Sequence, residues 1–268
     1  MTAGIVEAIR VGTAPRVPPP AAYGVITSDT AGMGTVRNLV GGEGAASWKQ
    51  VINGMHLPGG GWGCVEVVDL APGSSCGEHL HAAREEIYVI TAGRAVMRVN
   101  GSEIAVSEGD LITCPLGTVH GIGVPAGADQ VMRMLVVEAA PGTSRPPAGA
   151  VRIPLPATLG PCQGYRGGGE GQETRVAVAD LTRHLSGNWQ RCSLIEIPPG
   201  ESLGPYRLPA AVAEVLFVAA GSAEITAAGT RAEGGRGLTV GTGLGAEVVV
   251  CNLSADGPLT VLSTEVRA

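Results

Sequence analysis

The chain carries one pattern of apolar runs and turns twice. WGCVEVVDLAPG, from Trp62 to Gly73, is answered by WQRCSLIEIPPG, from Trp189 to Gly200. EIYVITAGRAVMRVNG, from Glu86, is answered by EVLFVAAGSAEITAAG, from Glu214. Gly101, Gly109 and Gly117 recur as Gly229, Gly237 and Gly245, each displaced by 128 residues. Self-similarity at a fixed offset means two copies of one unit. Short apolar strands between Gly and Pro turns make that unit an all-β sandwich or small barrel. The expected organisation is an N-terminal arm over 1–45, a first unit over 46–140, a linker over 141–175 and a second unit over 176–268. The linker reading rests on a Pro-Pro pair and an RGGGEGQ run. Gly167, Gly168 and Gly169 lack the following Lys-Ser/Thr and helix of a phosphate loop. The arm lies outside the repeat and is expected to pack on the second unit or on a partner subunit.

At 268 residues the chain has ample length for a core in each unit. With 16% charged and 44% hydrophobic residues it reads as compact and soluble rather than disordered. A net charge of -6 offers no footprint for nucleic acid or an anionic membrane. No apolar run approaches the roughly 20 residues of a membrane span. Glu7, Arg10, Arg16 and a triple proline near the start do not make a signal peptide, so a cytoplasmic location is expected. Cys64, Cys76, Cys114, Cys162, Cys192 and Cys251 are scattered without a C-x-x-C pair, which suits reduced thiols. Cys76 and Cys114 fall near the motifs described next, but a cysteine is often simply a small buried hydrophobe. A small molecule is the expected partner; a homodimer is left open.

The residue types that carry chemistry concentrate in one copy. GEHLHAAREEIYVITAG spans Gly77 to Gly93, and GDLITCPLGTVH spans Gly109 to His120. His79 and His81 are two apart, so on a strand they share a face. Glu86 opens the next apolar run, and His120 follows a Pro115-Leu116-Gly117 turn. Three imidazoles and a carboxylate form a mixed N/O set that suits one divalent transition metal with positions left open. Taken singly, each part has an ordinary reading: a packed histidine pair, a solvated Glu85-Glu86 turn, a Pro-x-Gly turn.

Together these residues resemble the cupin family. Its first motif is matched by Gly73, His79, His81, Glu86 and Gly93, and its second by Gly109, Pro115, Gly117 and His120. Only Glu86, not Glu85, keeps the family's interval to Gly93, so the resemblance makes Glu86 the ligand. The asparagine that usually closes the second motif is Val124 here. The resemblance implies two tandem jelly-roll-like cupin barrels, with one metal ion in the first held by His79, His81, Glu86 and His120. Fe(II) is favoured, with Mn, Ni, Co or Zn as alternatives.

The second copy departs from the motif. The positions of His79 and His81 fall at Tyr206 and Leu208, or one later at Arg207 and Pro209. His120 becomes Val248, and only Glu214 survives. One carboxylate without imidazoles does not hold a transition metal tightly, so this copy reads as a degenerate scaffold, with Glu214 a relic that pairs locally with an arginine.

Alternation from Glu86 puts Tyr88 and Ile90 on the ligand face. Tyr88 is the candidate catalytic residue, as a hydrogen-bond donor or acid, although its ring also suits core packing. The next strands offer Met97 or Arg98, and Met132 and Met134 or Arg133, inward. An inward arginine would suit a carboxylate or enolate, while the ordinary place for each is the solvent face. Three activities fit the resemblance: oxygenation, a non-redox isomerisation, cyclisation or decarboxylation, or ligand binding without catalysis. An oxygenase acting on a small oxygen-rich molecule is expected first, because Tyr88 is the one ionisable side chain that alternation places inside. A phenol of pKa about 10 is a poor base at neutral pH.

Overall fold

In the computed structural model of the chain, residues 24–59, 61–142, 149–166 and 173–268 are described. The triple proline at 18–20, the Pro146-Pro147 pair and the glycine run at 167–169 lie outside them. The described chain is all-β with a few short 3-10 turns, and it forms two jelly-roll-like units of the same build. Each unit has one seven-stranded sheet and one four-stranded sheet.

In the first unit, the large sheet runs in the order Val151–Pro154, Asp110–Cys114, Glu85–Ala92, Met132–Ala139, Trp62–Leu70, Ala45–Asn53, Gly34–Arg37. Its small sheet runs Ser75–Leu80, Val119–Gly123, Arg94–Val99, Ser102–Ser107. The second unit repeats this. Its large sheet runs Ile26–Ser28, Thr239–Gly241, Val212–Ala220, Leu259–Arg267, Trp189–Ile197, Arg175–Asp180, Gly160–Pro161. Its small sheet runs Ser202–Arg207, Glu247–Asn252, Ser222–Ala227, Thr230–Gly235.

The edge strands reveal an exchange. Ile26–Ser28, from the expected arm, pairs with Thr239–Gly241 of the second unit. Val151–Pro154, from the expected linker, pairs with Asp110–Cys114 of the first. Each unit therefore has a sheet edge covered by the segment that leads into the other unit, which leaves fewer unpaired backbone groups exposed. The boundaries at 45 and 141 divide the sequence but not the sheets. Gly34–Arg37 likewise belongs to the first unit's sheet.

Period-2 alternation assigns the strand faces. In Glu85–Ala92, Ile87 and Val89 face one core while Tyr88 and Ile90 face another. In Val212–Ala220, Ala213, Val215 and Phe217 split from Leu216 and Val218 in the same way. Two of the three cores fill the interiors of the units. The third joins residues of both large sheets, Val65, Val67, Ile87 and Leu135 with Leu194, Val215, Phe217 and Leu262. The units thus pack sheet against sheet across a continuous apolar layer.

Glu85 pins this layer. It is fully buried, and its carboxylate accepts from Ser186 N (2.9 and 3.0 Å), Ser186 Oγ (2.8 Å), Gly187 N (2.8 Å) and Trp189 Nε1 (3.2 Å). The solvated-turn reading of Glu85 is corrected: burial without partners would be costly for a carboxylate, and the second unit supplies the donors. In the repeat, Ala213 takes the position of Glu85 and Trp62 that of Trp189, and Trp62 Nε1 is buried without a protein partner.

Candidate metal centre

His79 and His120 come together because Ser75–Leu80 and Val119–Gly123 pair antiparallel with these two residues directly opposite. Their ring centroids lie 4.5 Å apart. His81 follows just past the end of its strand, where its carbonyl accepts from Gly117 N at 3.4 Å. The Pro115–Thr118 turn that fixes this approach has Gly117 at φ 81°, a conformation natural to glycine. Glu86 lies on a strand of the large sheet, between Cys114 on one neighbour and Glu138 on the other. Val124, the departure from the motif, is buried and ties the loop by backbone bonds, from Val124 N to Ser74 O and from Gly73 N to Val124 O, both 2.9 Å.

One ligand-capable atom from each of His79, His81, Glu86 and His120 lies within 4.8 Å of all the others. Two ligands at about 2.1 Å on opposite sides of an ion stand about 4.2 Å apart, so the group is near the size of a coordination shell. Hydrogen bonding fixes the histidine tautomers. His79 Nδ1 lies 2.8 Å from Gly77 O, and His120 Nδ1 lies 3.0 Å from Thr118 O. Carbonyls only accept, so each Nδ1 carries the proton and each Nε2 presents a lone pair. His81 Nε2, His120 Nε2 and Glu86 Oε2 are buried without a hydrogen-bonding partner, although Glu86 Oε2 lies 3.0 and 3.3 Å from the two nitrogens. Orphaned buried polar atoms of this kind are rare. A divalent cation among them would satisfy all three at once, so the residues present fit a metal.

The electrostatics agree. Burial opposes the charge on Glu86, but His120 and His81 outweigh it and hold the carboxyl down to about 2. Burial lowers His79, which keeps its imidazole neutral, the form that ligates. His81 runs the other way: it is raised, chiefly by Glu86, and would give up its proton to ligate.

Tyr88 is buried beneath the cluster, its ring centroid 5.6 Å from that of His120. Burial, and then the Glu86 charge, push its phenol well above the ordinary range, so it stays protonated. It has the position to donate a hydrogen bond and no capacity to act as a base at neutral pH. Met97, Met132 and Met134 face inward as an apolar floor. Arg98 and Arg133 face outward, pairing with Glu103 and Asp69. The ordinary reading of both arginines therefore holds.

Three polar residues near the cluster were not picked out from the sequence. Glu138 Oε1 lies 4.0 Å from His81 Nδ1. Glu138 shares its strand face with Met132, Met134 and Val136, so the two-residue period that places those methionines inside also points to it. Burial, and then Glu86, raise its carboxyl. Glu66 accepts from Trp48 Nε1 at 3.0 Å and Cys64 Sγ at 3.5 Å. Arg84 is exposed at the rim, where a Cβ on Gly63 would fall 3.0 Å from its Nε and 2.8 Å from Glu138 Cβ. Cys76 and Cys114 are buried thiols. Burial leads in raising both, Cys76 to about 12, and neither takes part in the ligand group. Among the described residues there is no disulfide.

The second unit holds a guanidinium at the matching place. Tyr206 pairs with Val248 as His79 pairs with His120, which settles the alignment on Tyr206 and Leu208. Glu214 and Glu265 oppose each other as Glu86 and Glu138 do. Arg166, from the segment expected to be linker, pairs with both carboxylates.

Residues 66–138 match the family described as "Cupin domain". The oxalate-binding protein of Thermotoga maritima is 40% identical over 53 residues, which are 20% of this chain and 44% of that protein. Among solved structures, protein Ylba from E. coli is similar at a TM-score of 0.65 with 11% identity, over 92% of this chain and 91% of that one. The oxalate decarboxylase of Bacillus subtilis, studied for its Mn(II) centres, is similar at 0.63 with 18% identity, over 94% and 80%. Among the described residues no helix is long and apolar enough to cross a membrane.

Proposed function

We infer that the chain, whose residues 66–138 match the cupin domain and enclose a metal-capable group of three histidines and a glutamate, works through that group. We propose that it is a mononuclear metal-dependent enzyme that carries out a non-oxidative reaction, such as decarboxylation, isomerisation or cyclisation, on a small oxygen-rich molecule. His79, His81, Glu86 and His120 would hold the metal, which would polarise a substrate oxygen as a Lewis acid. The set suits Fe(II) and Mn(II) alike.

The observation that carries this reading is Glu138. Preference for an oxygenase rested on the lack of an inward base, and Glu138 removes that premise. Its carboxylate is partly exposed and lies 4.0 Å from His81 Nδ1, the ring nitrogen turned away from Glu86. It is placed to take and return a proton at a substrate carbon or oxygen. Tyr88 would donate from below, Arg84 would orient an acidic group at the rim, and the methionine floor would exclude water. The likeness to an oxalate-binding protein and to an oxalate decarboxylase supports the decarboxylase branch and makes oxalate the first compound to assay.

Turnover measured with and without oxygen tests the proposal. Product is expected at the same rate under strict anaerobiosis, with Glu138→Gln losing turnover while keeping its metal. Turnover that stops without oxygen would overturn the non-oxidative reading, and label from 18O2 in the product would establish the oxygenase instead.

A further inference from the structure

Arg166 does something unusual for a residue between two domains. Its side chain is 3% exposed and enters the second barrel. Nη1 donates to Tyr206 Oη at 2.8 Å and Nη2 donates to Ser263 Oγ at 2.7 Å. The guanidinium pairs with Glu214 and Glu265, whose side chains are 0% and 5% exposed. Its Cζ lies 4.5 Å from the centroid of the Tyr206 ring and 5.0 Å from that of Tyr165. Tyr206 also donates to Glu214 Oε2 at 2.8 Å, and Ser263 donates to Glu214 Oε1. Arg191 Nε closes the group on Glu265 Oε1 at 2.9 Å.

We propose that the interior of the second barrel is a receptor for a guanidinium group, filled in cis by Arg166. The groups around the two Nη atoms answer to that cation rather than to a metal ion, while Nε is buried without a partner. Two carboxylates and two hydroxyls face the N–H groups, and two aromatic rings lie within cation–π distance of the plane. An ammonium has no planar fork with which to meet two carboxylates and two hydroxyls together. A transition metal would find carboxylate and hydroxyl oxygens but no imidazole, because the positions of His79 and His120 are Tyr206 and Val248. The two carboxylates shared with the first barrel are kept, and the charge that balances them arrives on the chain itself.

The test is to empty the pocket and refill it. In the full-length protein, Arg166→Ala leaves Glu214 and Glu265 buried without their main counter-charge, and the melting temperature is expected to fall by about 5 °C or more. Methylguanidinium at low millimolar concentration, below the denaturing range, should recover at least half of that loss in the variant and nothing in the parent protein. Methylammonium and sodium chloride at the same concentrations should recover none. If Arg166→Ala is insoluble, Arg166→Lys serves, and it should melt well below the parent. Three results would overturn the proposal: recovery no better than with salt, Arg166→Lys as stable as the parent, or uptake of a second equivalent of Mn(II) or Zn(II) by Arg166→Ala.

Discussion

The two barrels share strands, turns and a pair of opposed carboxylates, yet they balance those carboxylates differently. In the first, Glu86 and Glu138 stand beside three imidazoles whose free nitrogens converge. In the second, Glu214 and Glu265 close on the guanidinium of Arg166. A buried carboxylate needs a counter-charge in either case. An exchangeable ion leaves coordination positions that a substrate can use, whereas a tethered side chain saturates its partners and leaves none. Absence of the histidine set and retention of a stable fold are thus compatible once an arginine takes the balancing role.

The comparison breaks first at the two glutamates. Glu86→Ala should weaken metal binding by more than about 100-fold and abolish turnover, as measured by equilibrium dialysis and assay. Glu214→Gln should leave both unchanged while costing about 3 kcal/mol of stability in urea, because it unbalances a buried ion pair. Equal metal loss in the two variants would erase the distinction between the barrels.

Smaller changes sharpen it. Glu138→Gln should lower kcat by about 100-fold or more with metal content intact, whereas Glu265→Gln should leave kcat unchanged. Glu85→Ala strands the donors of Ser186, Gly187 and Trp189, and should cost about 4 kcal/mol in chemical denaturation while the metal stays bound. Last comes the tryptophan pair. Trp189→Phe removes a donor to Glu85 and should cost about 1–2 kcal/mol. Trp62→Phe removes a buried N–H that has no protein partner and should cost less than about 0.5 kcal/mol. Equal costs would show that the asymmetry between Glu85 and Ala213 has no energetic weight.

The residues that gather at the first cluster were legible because their spacing is local. Two strands and one turn bring His79, His81, Glu86 and His120 together, and the strand period fixes the face of each. The repeat was legible for the same reason, since Gly and Pro turns recur at one offset. What stayed hidden depends on pairing between distant segments. Nothing near Ile26 or Val151 announces that each completes the other unit's sheet. Arg166 sits outside the repeat, so aligning the two copies exposes the loss of histidines but not the cation that compensates it. Glu85 looks like a surface charge until the Ser186–Trp189 loop of the other unit is packed on it. Glu138 is a different case. Alternation from Met132 and Met134 leads to it directly, so the strand period alone is enough to bring it to the ligand face.

The account rests on one barrel holding a metal and the other holding an arginine in its place, and elemental analysis of the purified full-length protein reads this most directly. One equivalent of divalent transition metal per chain is expected, falling to near zero in Glu86→Ala and staying at one in Glu214→Gln. Two equivalents in the parent protein, or loss of metal on changing Glu214, would contradict it.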